Sequence, residues 1–487
     1  MGDLKSLTKS KIICTLGPSS HSIEHIKKLS SLGMDCTRIN FSHGTKEYKT
    51  ELFNNVRQAD SKLAILCDIQ GPKIRIGQVI EGGVLLHRDE KITITTDECI
   101  GDQNRISISY DRLPQEIQEG DLIYINDGIV CLKVDQLINH DIMCHVIAGG
   151  HISTRKGVNL PLTDISLKVP TDKDIEDLKL IAELNPEYIA VSFVADENDI
   201  IKIRNILTGF GNNQIKLIAK IERPVALQNF EKILDVSDGI MVARGDLGVE
   251  ISPEEVIPVQ KSMIKKCNIV GKPVIVATQM LESMIKASVP TRAEISDVYN
   301  AIGDGADAVM LSAETASGEF PGEAVAMMER IIRSSELLIP SRNPDAFDSG
   351  DVSTSELIGH LVFSASKELA DRNQKGKIIC LTRSGYSALM ISKYRPNLPI
   401  FGITSNLRAK REMRLFWGVE PLLLPEIHEA ERTMDRIHIA VKACYENGYV
   451  EQDESIIITG SNLFDFTHHT NMISIITVND VLNSDIS

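Results

Sequence analysis

No stretch of this chain approaches the roughly 20 consecutive apolar residues that a membrane-spanning helix needs. Its apolar runs, such as 274–277 and 324–328, are a fraction of that length. Positive charge is also scarce. The balance of 52 Lys and Arg against 67 Asp and Glu leaves a net charge of −15, which argues against a general nucleic-acid binder, because a phosphate backbone calls for a basic surface. A small phosphorylated ligand needs only a local cluster of cations and is not excluded. No C-x-x-C pair occurs. The nine cysteines stand singly and read as small buried hydrophobes in a reducing compartment, not as a disulfide framework. The first eleven residues are polar and lack a signal-peptide apolar region, and no low-complexity tail is found. The expectation is a cytoplasmic globular protein without membrane or nucleic-acid partners. Its 487 residues suit two to four domains.

What the sequence does contain is a repeat of short β-rich runs, each followed by a helical stretch. Strands are expected near 12–16, 36–39, 63–67, 188–192, 215–220, 239–242, 274–277 and 308–311. Most are spaced as strand–helix repeats with loops, and eight such units close a (β/α)₈ barrel. Helix punctuation agrees. Ser252-Pro253-Glu254-Glu255 reads as a cap, a proline at the first helical position and a capping-box glutamate, with Gly271 and Pro273 as the stop. Thr291-x-x-Glu294 reads as a second capping box. About 120 residues separate the third strand from the fourth, room for an inserted domain. Its short strands, near 91–96, 106–110, 122–126, 130–134 and 142–148, suggest a small β-barrel. After a polar stretch at 340–354 a second α/β pattern begins, with strands near 377–382, 400–404, 421–424, 455–459 and 473–478. The expected boundaries are 1–72 and 168–340 for the barrel, 73–167 for the insert and 352–487 for the C-terminal α/β domain.

In barrel enzymes the working residues sit at the C-terminal ends of the strands. Here those ends carry Thr15; Arg38, Asn40 and Ser42; Asp68; Ser192; Lys220 and Glu222; Arg244 and Asp246; Thr278; and Ser312 with Glu314. Lys220 and Glu222 share one face of their strand, with Ile221 on the other. A lone Lys-x-Glu is more often a structural ion pair. With Asp246 and Thr278 on the following strands, a catalytic reading outweighs it: two carboxylates to hold Mg²⁺, and an ammonium facing a developing oxyanion. The loop 244–248, with two glycines and a helix starting at Ser252, reads equally as an anion cradle or a tight turn. Arg38, Asn40, Ser42 and His43 form a comparable loop, for which a turn bonded to its own backbone is the commoner explanation. Ser384-Gly385-x-Ser387, between a strand and a helix, reads as a phosphate cradle or an ordinary helix cap.

These blocks resemble the pyruvate kinase family over essentially the whole chain. They include IICTLGP at 12–18, TRINFSHG at 37–44, DIQGPKI at 68–74, Asn126-Asp127-Gly128, GVNLP at 157–161 and Lys173-Asp174. They continue with Lys220-Ile221-Glu222, GIMVARGDLG at 239–248, ATQMLESM at 277–284 and LSAET at 311–315. The resemblance implies a TIM barrel with an inserted β-domain and a C-terminal α/β effector domain, and Mg²⁺- or Mn²⁺-dependent phosphoryl transfer from phosphoenolpyruvate to ADP. By the same resemblance Glu222 and Asp246 are metal ligands, and Lys220 neutralises the transferring phosphoryl group and the enolate. Arg38 and Arg75 contact phosphate; Asn40, His43, Asp127 and Lys173 lie on the nucleotide side with Arg75. Gly245, Asp246 and Thr278 bind the substrate carboxylate. Thr278, with Ser312 and Glu314 behind it, lies where a proton reaches the enolate carbon. The insert closes as a lid on hinges near Pro72 and Pro170, and the assembly is a homotetramer.

Two departures from the family pattern carry expectations. Around Asn40, Ser42, Asp68 and Ile69, where many members hold K⁺, Lys73 replaces a glutamate and Ile69 a threonine. The Lys73 ammonium is therefore expected to stand in for K⁺. Thr382, Arg383, Ser384, Gly385 and Ser387 resemble an effector phosphate pocket, but 461–466 lacks the arginine and glycines used for fructose bisphosphate. Weak or absent activation by that sugar is expected, and a monophosphate effector such as AMP or a hexose phosphate stays open. Two rival readings stay open: a metal-dependent carbon–carbon lyase, against which Asp127 and Lys173 weigh, and a catalytically silent regulator, against which the complete set of site residues weighs.

Overall fold

Eight strands close into a parallel barrel: β1 Lys11–Thr15, β2 Cys36–Asn40, β3 Ala64–Asp68, β4 Tyr188–Val191, β5 Lys216–Ile221, β6 Gly239–Ala243, β7 Val274–Ala277 and β8 Ala308–Leu311. In the barrel each strand pairs with its sequence neighbours, and β8 closes back on β1. The computed structural model describes residues 8–161, 163, 165–338, 353–430, 432–461 and 470–483. Every expected strand is present, displaced by a residue at most ends. The side-chain period of two sorts the strands into two apolar layers. Ile12, Cys14, Ile65, Cys67, Ala219 and Ile221 pack outward against the helices. Ile13, Cys36, Leu66, Ala190, Ile218 and Met310 fill the barrel interior. The polar rim continues the interior rows: two residues beyond Ile13 comes Thr15, beyond Cys36 Arg38, beyond Leu66 Asp68, beyond Ala190 Ser192 and beyond Ile218 Lys220.

Two helix starts were legible to different degrees. Thr291 forms the full capping box with Glu294. Ser252 begins its helix with Pro253 in the first turn but makes no side-chain cap bond; the Glu255 N–H it would serve bonds the Ser252 carbonyl instead. The loop expected at 244–248 is also different: Arg244–Glu250 is already a short helix. Its first-turn N–H groups have no partner within the helix, so an anion-facing role survives the change.

After β3 the chain enters an insert with its own core, formed by Ile92, Ile106, Ile123, Leu132, Val146 and others. The core lies among a six-stranded sheet and a two-stranded ribbon pairing Val84–Leu86 with Gly150–Ile152. The insert reaches back to the barrel rim through Asn159, whose amide donates to Glu250 Oε1 at 2.7 Å.

The C-terminal sheet runs β11-β10-β9-β12-β13, built from β9 Gly376–Leu381, β10 Ile400–Thr404, β11 Val419–Leu423, β12 Ser455–Gly460 and β13 Met472–Thr477. All pairings are parallel except β12 with β13. This domain docks under the barrel, where Tyr188 Oη donates to the Glu412 carbonyl at 2.6 Å. Arg395 joins the two bodies: Nη1 pairs with Asp307 Oδ1 at 2.8 Å, and Nη2 donates to Asn268 Oδ1 at 2.8 Å and to the Gly305 carbonyl at 3.1 Å. Removing one partner of a buried pair leaves the other charge uncompensated, at a cost of about 3–5 kcal/mol. Arg395→Leu is therefore expected to lower the thermal unfolding midpoint markedly in calorimetry; an unchanged midpoint would contradict this account of the docking.

Candidate active site

The strand ends bring opposite charges into a dry cluster. Lys220, only 9% exposed, directs its ammonium at Ser192 Oγ (2.7 Å), Glu222 Oε1 (2.8 Å) and Asp68 Oδ1 (3.3 Å). Ser192 Oγ donates in turn to Asp68 Oδ1 at 3.2 Å. Arg38 Nε binds the other Asp68 oxygen at 2.7 Å, and its Nη1 donates to Thr15 Oγ1 at 3.1 Å. Burial works to lower the Lys220 pKa, but Asp68 and Glu222 override it and hold the value above that of an ordinary lysine. Burial works to raise Asp68, and Lys220 with Arg38 hold it below the usual carboxylate range. Both groups are therefore charged at neutral pH.

Glu222 behaves differently. Its Oε2 accepts the Phe193 N–H at 2.6 Å, and Phe193 holds a left-handed φ of 58° to deliver that bond. Oε1 is buried, and its one close partner is the Lys220 ammonium at 2.8 Å. Burial, against the pull of Lys220, pushes its carboxyl up to about 6. Asp246, at the start of the next strand's helix, pairs with Lys73 at 3.1 Å. Two hard-oxygen carboxylates at the mouth suit a divalent cation that takes its other ligands from water and substrate. No cluster of three or more His, Cys, Asp or Glu side chains suited to a metal exists among the described residues.

On the far side of the mouth, Gly245 N–H donates to Thr278 Oγ1 at 2.7 Å, and that hydroxyl donates to the Ala277 carbonyl at 2.5 Å. Glu314 accepts from Ser312 N at 2.7 Å and from Leu281 N at 3.2 Å, so it braces the loop that follows Thr278. Ser312 Oγ is buried without a hydrogen-bond partner.

The nucleotide-side residues are more dispersed. Asn40 Oδ1 accepts from Ser42 N at 3.0 Å, the self-bonded turn its residue types suggest. Lys173 donates to the Phe41 carbonyl at 3.0 Å and pairs with Asp177 at 2.7 Å. His43 lies near it: partial burial and the charges of Arg75, Arg38, Lys173 and Lys49 hold its pKa below the usual histidine value. Arg75 donates to the Arg155 carbonyl within the insert at 2.9 Å. Asp127 sits in a turn with left-handed φ at Asn126, Asp127 and Gly128, and a side chain at Gly128 would meet Val249 on the rim helix at 3.6 Å.

Lys73 bonds Asp246, and no hydrogen bond or ion pair joins it to Asn40, Ser42 or Asp68 among the described residues. Asp68 already has Arg38 and Lys220, and the chain leaving β3 through Gly71-Pro72 carries Lys73 past it. In the C-terminal domain the loop 382–385 closes through Gly385 N to Thr382 Oγ1 at 3.0 Å, Thr404 Oγ1 donates to the Arg383 carbonyl at 3.3 Å, and Ser387 Oγ bonds Thr470 Oγ1. Residues 462–466 of the loop expected to disfavour fructose bisphosphate lie outside the described residues. Ser192 and Arg244 are among the strand-end residues named from the sequence, without assigned partners; Phe193 is not among them. Phe193 acts through its backbone N–H, which sequence does not display, and the partners of Ser192 and Arg244 come from other strands and loops.

A parallel eight-stranded barrel whose rim holds a lysine and an arginine among buried carboxylates, with a β-domain inserted after the third strand, has the architecture of a barrel enzyme with its site at the strand ends. Residues 7–325 match the family model for the pyruvate kinase barrel domain and 360–476 that for the pyruvate kinase alpha/beta domain. A pyruvate kinase of Clostridium perfringens is 40% identical over 485 residues, covering 96% of this chain and 99% of the relative. Those of Staphylococcus saprophyticus and Geobacillus stearothermophilus are 39% and 38% identical, covering 98% and 97% of this chain and 81% of each relative. The chain belongs to the pyruvate kinase family.

Proposed function

We propose that this protein transfers the phosphoryl group of phosphoenolpyruvate to ADP, giving pyruvate and ATP, as the final step of glycolysis. The observation that carries the reading is the buried Lys220–Asp68–Arg38–Glu222 cluster at the C-terminal mouth of the barrel. Phosphoryl transfer is catalysed mainly by positioning and charge neutralisation. Lys220 and Arg38 supply fixed positive charge where the phosphoryl oxygens sit, held by Asp68 so that neither reorganises during the reaction. The Gly245 and Asp246 N–H groups with the Thr278 hydroxyl hold the substrate carboxylate once it displaces the bonds that Gly245, Thr278 and the Ala277 carbonyl make with one another, and the Thr278 side carries the proton to the enolate carbon. Glu222 and Asp246 hold Mg²⁺ or Mn²⁺, which when bound lends positive charge to the enolate and phosphoryl oxygens. Arg75, Asn40, His43, Asp127 and Lys173 serve the nucleotide. The insert, 73–167, closes over the mouth on hinges near Pro72 and Pro170 and excludes water from the transfer; the Asn159–Glu250 bond is one contact of that closure. The barrel, 1–72 with 168–340, forms a cytoplasmic homotetramer with the C-terminal domain, 352–487, whose loop 382–387 takes a phosphorylated effector.

K⁺ is not required. Lys73 places a permanent monovalent charge at the rim beside Asp246, in the neighbourhood the family's cation neutralises. Pyruvate formation from phosphoenolpyruvate, ADP and Mg²⁺ is expected to run at the same rate, within twofold, in potassium and in tetramethylammonium chloride. Tenfold or greater activation by K⁺ would remove the Lys73 argument and leave the enzyme assignment standing. No turnover in either salt, with or without candidate effectors, would overturn the assignment.

A further inference from the structure

Thr278 and Gln279 are consecutive non-glycine residues in left-handed backbone, with φ of 72° and 54°. That conformation is rare for a β-branched residue such as threonine and persists only where the surroundings impose it. Among the contacts that impose it here, one side chain holds both carbonyls of the turn. Arg244 is buried, and its Nη2 donates to the Thr278 carbonyl at 2.7 Å and to the Gln279 carbonyl at 3.2 Å. Nη1 is anchored at 2.6 Å by Asp297 Oδ1, on the helix Arg292–Asp304. The next residue in the chain, Gly245, binds the Thr278 hydroxyl through its N–H. Thr278 is thus gripped at its carbonyl by Arg244 and at its hydroxyl by Gly245.

We infer that Arg244 is a positioning residue for the proton-delivery and carboxylate-binding side of the site. It holds the Thr278–Gln279 turn in its left-handed form so that the Thr278 hydroxyl faces the mouth, and Asp297 sets the guanidinium. The inference rests on the role given to Thr278 above. Two properties of the side chain fit the task. A planar guanidinium can serve two carbonyls and a carboxylate at once, which an ammonium cannot do in a fixed plane. Its partners lie on the β7 loop and the helix Arg292–Asp304, so one residue at the end of β6 ties two neighbouring barrel units to the rim.

The test is a mutant cycle on the full-length enzyme: Arg244→Lys, Thr278→Ala and the double variant. It is read by kcat for pyruvate formation, KM for ADP, and the rate at which pyruvate methyl protons exchange with D₂O. A misplaced group of this kind costs on the order of 100-fold. Arg244→Lys is expected to lower kcat and methyl-proton exchange by about that factor, with KM for ADP unchanged within twofold. Because Arg244 acts through Thr278, the double variant is expected to match Thr278→Ala within twofold. A purely structural arginine would instead lower the unfolding midpoint and give losses that multiply, and multiplying losses overturn the inference. If Arg244→Lys does not fold, Asp297→Asn, which keeps the arginine but removes the carboxylate that sets its guanidinium, is carried through the same cycle with the same criteria. Parental activity and exchange in Thr278→Ala would refute the role of Thr278 and the inference with it. An impaired Thr278→Ala with multiplying losses would refute the inference alone.

Discussion

Lys220→Met is expected to lower pyruvate formation by about 1,000-fold or more while the protein stays folded. Removing a single preorganised donor from a developing oxyanion costs about 10²–10³ in kcat, and Lys220 is proposed to face two charges, the transferring phosphoryl group and the enolate. Methionine keeps most of the length and loses the ammonium. The change also removes the cation between Asp68, Glu222 and Ser192, and breaking a buried pair destabilises by about 3–5 kcal/mol. The folded state raises the Lys220 pKa, so the stabilisation is fully present below the ordinary lysine value and fades only as pH rises through the raised one. At neutral pH the variant therefore bears the whole loss, and circular dichroism with ADP binding must accompany the rate assay. A folded variant retaining more than a tenth of parental turnover would sink the role assigned to Lys220.

The second large effect is expected from Glu222→Gln. In the parent, Oε2 takes the Phe193 N–H and the buried Oε1 faces the Lys220 ammonium at 2.8 Å. The amide can keep the bond from Phe193, but its other end becomes an N–H₂ beside the Lys220 ammonium, where it repels a cation instead of holding one. Replacing even a residue that merely supports a metal ligand costs about 10–100-fold in affinity. Mn²⁺ binding to the free enzyme, followed by electron paramagnetic resonance, is accordingly expected to weaken by about 100-fold or more, with a parallel rise in the Mg²⁺ concentration needed for turnover. Unchanged Mn²⁺ affinity in the folded variant would remove Glu222 from the metal site.

Much of this architecture could be read along the chain because it is local. A strand alternates faces every residue, so Lys220 and Glu222 had to share the face of Ile218. Arg38 and Asp68 likewise followed the interior rows set by Cys36 and Leu66. The capping box at Thr291 and the helix stop at Gly271 are also local, and both formed. The partners of Lys73, Arg244 and Arg395 were not readable in this way. Each is a long side chain whose ends meet groups from distant segments: Lys73 meets Asp246, Arg244 the backbone of Thr278 and Gln279, and Arg395 Asp307 and Asn268. The Ser252 cap failed because a backbone carbonyl took the amide first.

By itself, then, the sequence determined the eight-strand repeat, the insert after the third strand and the identity of the charged residues at the strand ends. These follow from backbone periodicity and from the chemistry of individual side chains. Tertiary structure alone decided which charge pairs with which, that the Glu222 carboxylate is buried between Lys220 and the Phe193 N–H, and that Thr278 is held in a left-handed backbone. Such features depend on where closed strands and docked domains place groups far apart in the chain, where distances of a few ångströms and the exclusion of water select among partners that sequence leaves equivalent.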